Sequence, residues 1–128
     1  MKLLLDTCTF LWAVDNTSKL SAAARSALVD PANDVYLSAI SAWEIAVKQV
    51  NGALALSEPA HAYVPKYREA HGFIELPLDE AAALHVGRLP TPHRDPFDRM
   101  LVCQAIAHSL AIVTPDAHVA KYPVRTIW

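Results

Sequence analysis

The chain has 128 residues, which is the size of one domain and enough for a substantial core. Its hydrophobic fraction of 53% is slightly above the ~45–50% of an average soluble domain, which favours strands buried on both faces or a partner-binding surface. The formal net charge of −2 excludes the globally basic surface typical of nucleic-acid-binding domains, so any contact with RNA or DNA must use local basic residues.

The first residues and the cysteines bear on where the protein works. The opening MKLLLDTCTFLW contains a short apolar run, but Asp6 interrupts it earlier than a secretory signal allows. No stretch approaches the ~20 apolar residues of a membrane span, so we expect a soluble, cytoplasmic protein. Cys8 and Cys103 lie far apart, without the spacing of a metal site or a disulfide framework, and we expect both to be reduced and buried.

Short apolar runs alternate with helical patterns along the first half of the chain. Residues 2–6 predict a buried strand, and a helix follows around TFLWAVD. A second helix fits residues 21–29, a strand fits residues 35–38, and a third helix fits residues 41–50.

The second half of the chain continues this alternation. A helix is predicted at residues 59–70, a strand at residues 73–77 and a helix at residues 79–88. The sequence LPTPHRDP then predicts a proline-punctuated loop, and a further helix follows at residues 96–109.

The strand AIVT (111–114), a short helical turn and the segment VRTIW (124–128) complete the pattern. Strands without polar alternation, separated by helices, indicate a parallel sheet that is covered on both faces. The sequence contains no internal repeat, low-complexity segment or interdomain linker. It therefore predicts a single domain over residues 1–128, with a three-layer α/β/α sandwich as its fold.

Ligands of open parallel sheets bind beyond the carboxyl ends of the strands, near a switch in strand order. Four carboxylates from distant segments are expected at that edge: Asp6 at the end of the first strand, Glu44 in the helix after the second, Asp98 at the start of the helix before AIVT, and Asp116 just past AIVT. Their predicted convergence is the main functional clue in the sequence.

Most of these carboxylates also have a purely structural interpretation. Asp6 is a favoured N-cap residue for the first helix, and Asp116 fits an ordinary turn. Asp95 followed by Pro96 is typical of an N-cap and the first helical position, so Asp95 should accept the backbone N–H of Asp98. Asp98 itself is too short to complete a capping box well, and it shares an inward-pointing helix face with Leu101, Val102 and Ala105. Asp98 is therefore the candidate ligand of this segment.

Glu44 has two competing interpretations. Ser41-Ala-Trp-Glu44 matches the S-x-x-E capping box at the start of a helix. However, Glu44 also shares a helix face with Ile40, Trp43 and Val47, and a carboxylate on an apolar face is costly unless something pairs with it. The second interpretation favours a functional role for this side chain.

Clustered carboxylates repel one another: at an effective dielectric constant of ~20, two like charges about 4–5 Å apart cost roughly 3–4 kcal/mol. A divalent cation removes that penalty, and Mg²⁺ or Mn²⁺ prefers such oxygen ligands. A cation of this kind activates water and stabilises charge on a phosphoryl group. The six histidines are scattered without an HExxH-like pair, so zinc is not expected.

The four acidic positions lie in motifs: LLLDT contains Asp6, SAISAWEI contains Glu44, HRDPFDRMLVCQA contains Asp98, and IVTPD contains Asp116. These motifs resemble those of the PIN domain, and the chain resembles the VapC-type toxins of bacterial toxin–antitoxin systems. The resemblance extends over almost the whole chain, and HRDPFDR before an apolar helix is its most specific part.

The resemblance implies a metal-dependent endoribonuclease that hydrolyses RNA, with Mg²⁺ or Mn²⁺ held by the four carboxylates. It also implies a supporting role for Thr114 and a role for Asp95 beyond helix capping. Proteins of this family typically form homodimers and are neutralised by a small VapB-like antitoxin. Two positions depart from the subgroup: Cys8 stands where histidine is common, and Val119 replaces a common aromatic residue. Neither departure removes a carboxylate.

Binding of RNA phosphates requires basic side chains near the acidic edge, and the candidates are His93, Arg94, Arg99 and Lys48. Arg94 is the strongest of them because it lies in the proline-rich loop. Arg99 has an alternative role, which is pairing with an acidic residue at the helix start.

Other functions need features that are missing from the sequence. A phosphoacceptor module of the receiver type needs an acidic pair after the first strand and a late lysine, and Asp6 has no acidic neighbour. A haloacid-dehalogenase-like phosphatase needs a second Asp where Cys8 stands. A catalytically inactive PIN-like binding module remains an alternative, although all four acidic positions are filled.

Overall fold

The computed structural model describes residues 1–91 and 94–128. Its centre is a sheet whose strands are β1 (Lys2–Leu5), β2 (Asp34–Ser38), β3 (Ile74–Leu76), β4 (Ala111–Val113) and β5 (Thr126–Ile127). The strand order is β3-β2-β1-β4-β5, and every neighbouring pair is parallel. The predicted parallel sheet is therefore confirmed.

Helices connect the strands on both faces of the sheet. They are α1 (Thr7–Asp15), α2 (Ala22–Val29), α3 (Ala39–Val50), α4 (Ala60–Ala70), α5 (Glu80–Leu84) and α6 (Pro96–His108). The helix predicted at residues 79–88 is instead the short α5 followed by a 3₁₀ turn at His85–Arg88. The other predicted helices agree with the structure to within two residues at each end.

The central strand β1 explains the three-layer architecture. Leu3, Leu4 and Leu5 have no solvent exposure, because alternate side chains of a central strand point to opposite faces and both faces are covered. Leu3 and Leu5 pack in a cluster with α1, α2, α3 and α4, whereas Leu4 packs with α6. The predicted α/β/α sandwich is confirmed.

The N-cap of α3 differs from the prediction. Ser38 precedes the helix, and its Oγ accepts a hydrogen bond of 2.9 Å from the backbone N–H of Ile40. Ser41 lies inside the helix, so the predicted capping box of Ser41 and Glu44 is wrong. The helix begins earlier because Ser38 already supplies the side-chain oxygen that a helix start needs.

The sheet has its switch in strand order next to β1. The chain moves from β1 outward through β2 to β3, and then returns to place β4 on the other side of β1. Receiver-type modules have the strand order 2-1-3-4-5, so this topology excludes that alternative. Within the described residues, no helix is both long enough and apolar enough to cross a membrane.

Candidate functional site

The carboxyl ends of β1 and β4 lie side by side at the switch in strand order. Leu5, the last residue of β1, is paired with Val113, the last residue of β4. Asp6 and Thr114 follow directly, and both are buried. The sheet topology therefore brings together two segments that are more than a hundred residues apart, at the edge where ligands of such sheets bind.

Asp6 is a helix cap and a buried charge at the same time. Its Oδ1 accepts a hydrogen bond of 2.8 Å from the backbone N–H of Thr9, and its Oδ2 accepts one from the hydroxyl of Thr114. Only 6% of the residue is exposed to solvent. Burial raises the pKa of Asp6 above the ordinary value of 3.8, although these hydrogen bonds oppose the shift. The predicted capping role is confirmed, and the raised pKa marks a carboxylate that a nearby cation would stabilise.

Cys8 contacts the same carboxylate. Its Sγ lies 3.4 Å from Oδ1 and 3.5 Å from Oδ2 of Asp6. Burial, followed by the negative charge of Asp6, raises the pKa of Cys8 to about 12, so the thiol keeps its proton and acts as a donor. Cys103 is buried as predicted and both cysteines are free, but Cys8 is only half-buried and lies beside the site.

Thr114 connects Asp6 to Asp116. The hydroxyl of Thr114 donates to Asp6 and accepts a hydrogen bond of 3.1 Å from the backbone N–H of Asp116. The side chain of Asp116 accepts a hydrogen bond of 2.8 Å from the backbone N–H of His118, which is the predicted turn geometry. Asp116 therefore lies next to the cluster but is turned toward its own loop.

Glu44 lies on the inner side of α3, and only 7% of it is exposed. Its Oε1 accepts a hydrogen bond of 2.6 Å from the hydroxyl of Thr7, the residue after Asp6. Its Oε2 lies 2.6 Å from the ammonium nitrogen of Lys48, one helical turn further along. The expectation that a carboxylate in this position must be paired is confirmed.

The apolar stripe predicted around Glu44 is only partly correct. Ile40 is buried and Val47 is half-buried, but Trp43 is 58% exposed. The ring of Trp43 packs against the ring of Phe97, with centroids 5.1 Å apart. An aromatic pair therefore stands at the rim of the acidic site, between α3 and the start of α6.

Asp95 and Asp98 differ as predicted. Asp95 is the exposed N-cap of α6, and its Oδ1 accepts hydrogen bonds of 2.9 Å and 3.2 Å from the backbone N–H groups of Phe97 and Asp98. Asp98 lies in the first turn and is half-buried. Its negative charge contributes to the raised pKa of Cys8 and of Lys48.

The donor set fits a hard divalent cation in its chemistry, because carboxylate and hydroxyl oxygens from separate segments meet at one edge of the sheet. Within residues 1–91 and 94–128, however, no three His, Cys, Asp or Glu side chains are arranged as a ready-made metal cage. The oxygens of Glu44 are instead satisfied by Thr7 and Lys48. The metal-binding roles of Asp6, Glu44, Asp98 and Asp116 remain predictions.

The predicted RNA-binding residues have different surroundings. Lys48 is paired with Glu44, and this hydrogen bond raises its pKa. The guanidinium of Arg99 donates to the carbonyl oxygen of Pro90 at 2.9 Å and to the hydroxyl of Tyr122 at 3.2 Å, so it anchors the preceding loop. Arg94 is exposed at the end of that loop, and His93 lies outside the described residues.

Two contributors to the site were not predicted from the sequence. Thr7 holds Glu44 through its hydroxyl, which also lies 3.0 Å from the Oγ of the buried Ser41. The position of Thr7 directly after Asp6 is the only sequence signal for this role, because its partner lies 37 residues away. The Trp43–Phe97 pair could not be predicted from the sequence. The helix periodicity assigned Trp43 to the apolar face of α3, whereas the structure exposes it.

Comparison with known proteins identifies the family. A family model of the PIN domain matches residues 3–124. Ribonuclease VapC16 of Mycobacterium tuberculosis is 39% identical to this chain over 61 residues, which are 48% of this chain. The matched region spans only 43% of that relative's length.

Solved structures with the same fold cover nearly the whole chain. VapBC2 from Rickettsia felis, solved with a DNA fragment from its promoter, has a TM-score of 0.73 at 15% identity and covers 98% of this chain and 97% of its own. VapBC-5 from Mycobacterium tuberculosis, described as a member of the VapBC family of toxin–antitoxin systems, has a TM-score of 0.60 at 18% identity, with 98% and 94% covered. Structural similarity at identities this low shows a common fold and no more. The family assignment rests on the family model, which covers nearly all of the sequence. The chain belongs to the PIN domain family.

Proposed function

We propose that this PIN domain is a Mg²⁺- or Mn²⁺-dependent endoribonuclease and the toxin of a VapBC-type toxin–antitoxin pair. The observation that carries the proposal is the position of Asp6 and Thr114 at the carboxyl ends of β1 and β4, where the strand order switches, with Glu44 bound to the neighbouring Thr7. The similarity to a ribonuclease named VapC16 supports the choice of RNA as substrate.

The carboxylates of Asp6, Glu44, Asp98 and Asp116 would hold the cation. When bound, Mg²⁺ or Mn²⁺ supplies Lewis-acid stabilisation of the phosphoryl charge and lowers the pKa of a water molecule. Thr114 orients Asp6 through its hydroxyl, and Thr7 orients Glu44 in the same way. These hydroxyl groups fix the orientation of each carboxylate, which reduces the reorganisation needed when the cation and the substrate bind.

Basic and aromatic side chains around the carboxylates suit a single-stranded RNA. Arg94 is exposed beside the N-terminus of α6, and we assign it to a backbone phosphate together with His93, Lys48 and Arg99. The exposed ring of Trp43 offers a face on which an unpaired base can stack. Asp95 positions Asp98 by fixing the first turn of α6.

A protein partner is also part of the proposal. Large apolar side chains on three helices are well exposed, namely Val29 of α2, Val50 of α3 and Leu84 of α5. The solved structures with the same fold include VapBC toxin–antitoxin proteins, which supports a VapB-like antitoxin as the partner. A homodimer in the cytoplasm is a further part of the proposal. Mass determination of the purified protein in solution tests the homodimer, and co-expression with the product of any short open reading frame adjacent to its gene tests the antitoxin.

The activity is tested by cleavage of single-stranded RNA with purified protein. We expect cleavage with millimolar Mg²⁺ or Mn²⁺ and none with EDTA. Asp98→Asn should lose more than the ~10–100-fold that is typical of mutations outside the metal's own ligands. The control is Asp30→Asn, at an exposed turn where the side chain accepts a hydrogen bond from the backbone N–H of Ala32. RNA binding without metal-dependent cleavage by the wild type would favour the inactive binding module instead.

A further inference from the structure

Lys48 lies on the surface of α3, and its positively charged ammonium contacts the carboxylate of Glu44. Its side chain is 46% exposed, whereas that of its partner Glu44 is only 9% exposed, and the two charged atoms are 2.6 Å apart. The aliphatic stem of a lysine can lie along a helix while the ammonium reaches a carboxylate four residues earlier. The ion pair therefore has one buried end and one partly exposed end.

Both oxygens of the Glu44 carboxylate are held by neighbouring side chains. The ammonium of Lys48 contacts Oε2 at 2.6 Å. Thr7 occupies the other oxygen of Glu44, so Lys48 and Thr7 together hold both oxygens of that carboxylate.

We propose that Lys48 is an internal counterion of the acidic site, which competes with the divalent cation for Glu44 and so sets the metal concentration at which the site fills. This inference rests on the proposed function, because it assumes that the acidic site binds a divalent cation.

The competition follows from charge and from geometry. A cation that binds Glu44 approaches an oxygen that Lys48 already contacts, and an ammonium next to a divalent cation is repelled. Lysine can respond to this repulsion, since it is a compact charge on a flexible four-carbon stem and this one is half exposed. Metal entry therefore displaces the ammonium toward solvent, where it can meet a phosphate of the substrate.

The same ion pair stabilises the metal-free protein. A buried carboxylate without a partner is destabilising, and Lys48 gives Glu44 that partner before any metal is bound. Removal of the lysine charge should have two opposite effects, which are a weaker metal-free fold and a tighter metal site. A lysine that only bound RNA would produce neither effect in the absence of RNA.

The test is a titration of the full chain with Mn²⁺ alone, read by calorimetry and by the paramagnetic signal of free Mn²⁺. We expect the Kd of Lys48→Met for Mn²⁺ to fall about tenfold, which corresponds to about 1.4 kcal/mol. The melting temperature of Lys48→Met should be lower than that of the wild type in EDTA and should recover with Mn²⁺. Lys66→Met is the matched control, since Lys66 pairs with Glu58 at 3.2 Å on the exposed side of α4 and should change neither quantity.

Other results of the Mn²⁺ titration separate the counterion role of Lys48 from the proposed metal site. An unchanged or higher Kd for Lys48→Met, with a wild type that binds Mn²⁺, overturns the counterion role and leaves the proposed nuclease intact. Absence of Mn²⁺ binding to both proteins overturns the metal site and the counterion role together. If Lys48→Met does not fold, Lys48→Gln keeps a hydrogen-bond donor without the charge, and its Kd for Mn²⁺ decides in the same way.

Discussion

The hydrogen bond from the hydroxyl of Thr7 to Glu44 can be tested by a single substitution. The hydroxyl donates a hydrogen bond of 2.6 Å to the carboxylate of Glu44, and both residues are buried. Thr7→Val replaces this hydroxyl by a methyl group of similar size, and the two residues have similar helix propensities. The substitution therefore removes this hydrogen bond and the 3.0 Å contact with the Oγ of Ser41, with little other change to the helix.

The expected loss of stability follows from the charge of the acceptor. A hydrogen bond to a charged group contributes ~1.5–3 kcal/mol, and a buried acceptor that loses its donor carries the cost of desolvation as well. We therefore expect Thr7→Val to lower the free energy of unfolding by about 2 kcal/mol in EDTA. For a domain of this size, that corresponds to a decrease of roughly 6–10 °C in the melting temperature.

The assay is urea and thermal unfolding of metal-free protein, with Thr17→Val as the control. Thr17 is exposed, so its substitution should stay within ~0.5 kcal/mol of the wild type. In a Glu44→Gln background the acceptor is neutral, and the effect of Thr7→Val should fall to ~1 kcal/mol. A Thr7→Val protein that unfolds like Thr17→Val would refute the claim that Thr7 holds the Glu44 carboxylate.

Other parts of the site lead to further predictions. Asp95→Ala should lower the free energy of unfolding by ~0.5–2 kcal/mol, because it removes the cap of two backbone N–H groups. Some RNA cleavage should remain. Complete loss of cleavage without a change in the urea midpoint would mean that Asp95 is a metal ligand. Because burial raises the folded-state pKa of Asp6 above 3.8, ionisation of Asp6 destabilises the metal-free fold above that pKa. Metal-free Asp6→Asn should thus have a higher free energy of unfolding than the wild type near neutral pH, and this difference should shrink as the pH falls toward 3.8. A stability difference that is constant from pH 7 to pH 4 would contradict the assignment of Asp6 as a buried charge. Arg94→Ala, introduced into the inactive Asp98→Asn protein, should weaken RNA binding and reduce the salt slope by ~0.7, whereas unchanged affinity and slope would remove Arg94 from the RNA surface.

The fold was predictable because its signals are local. Leu3, Leu4 and Leu5 form an apolar run without alternation, which indicates a strand covered on both faces, and all three are buried. Asp95 before Pro96 was recognised as a helix cap for the same reason, since a cap and its helix are adjacent in the chain. The capping box of Glu44 failed because a matching local pattern was present one turn after the real cap at Ser38.

The contacts within the site were less predictable, because its partners are distant in sequence. The four carboxylates could be assigned to one edge of the sheet, but the hydrogen bond of Thr7 to Glu44 depends on how α1 packs against α3. The pairing of Lys48 with Glu44 was accessible from their spacing of four residues on one helix. The effect of this pairing on metal binding could not be predicted from the sequence, because the burial of Glu44 is a property of the assembled fold.

The central claim is that the carboxylates at the end of β1 and at the start of α6 hold one divalent cation. Crystals of the protein soaked in Mn²⁺ and measured at the manganese absorption edge test it most directly. We predict an anomalous peak within about 2.0–2.2 Å of carboxylate oxygens of Asp6 and Asp98, close to the ~2.0–2.1 Å that is typical of Mg²⁺ ligands. A fully occupied peak elsewhere on the protein, with none between these two side chains, would contradict the account.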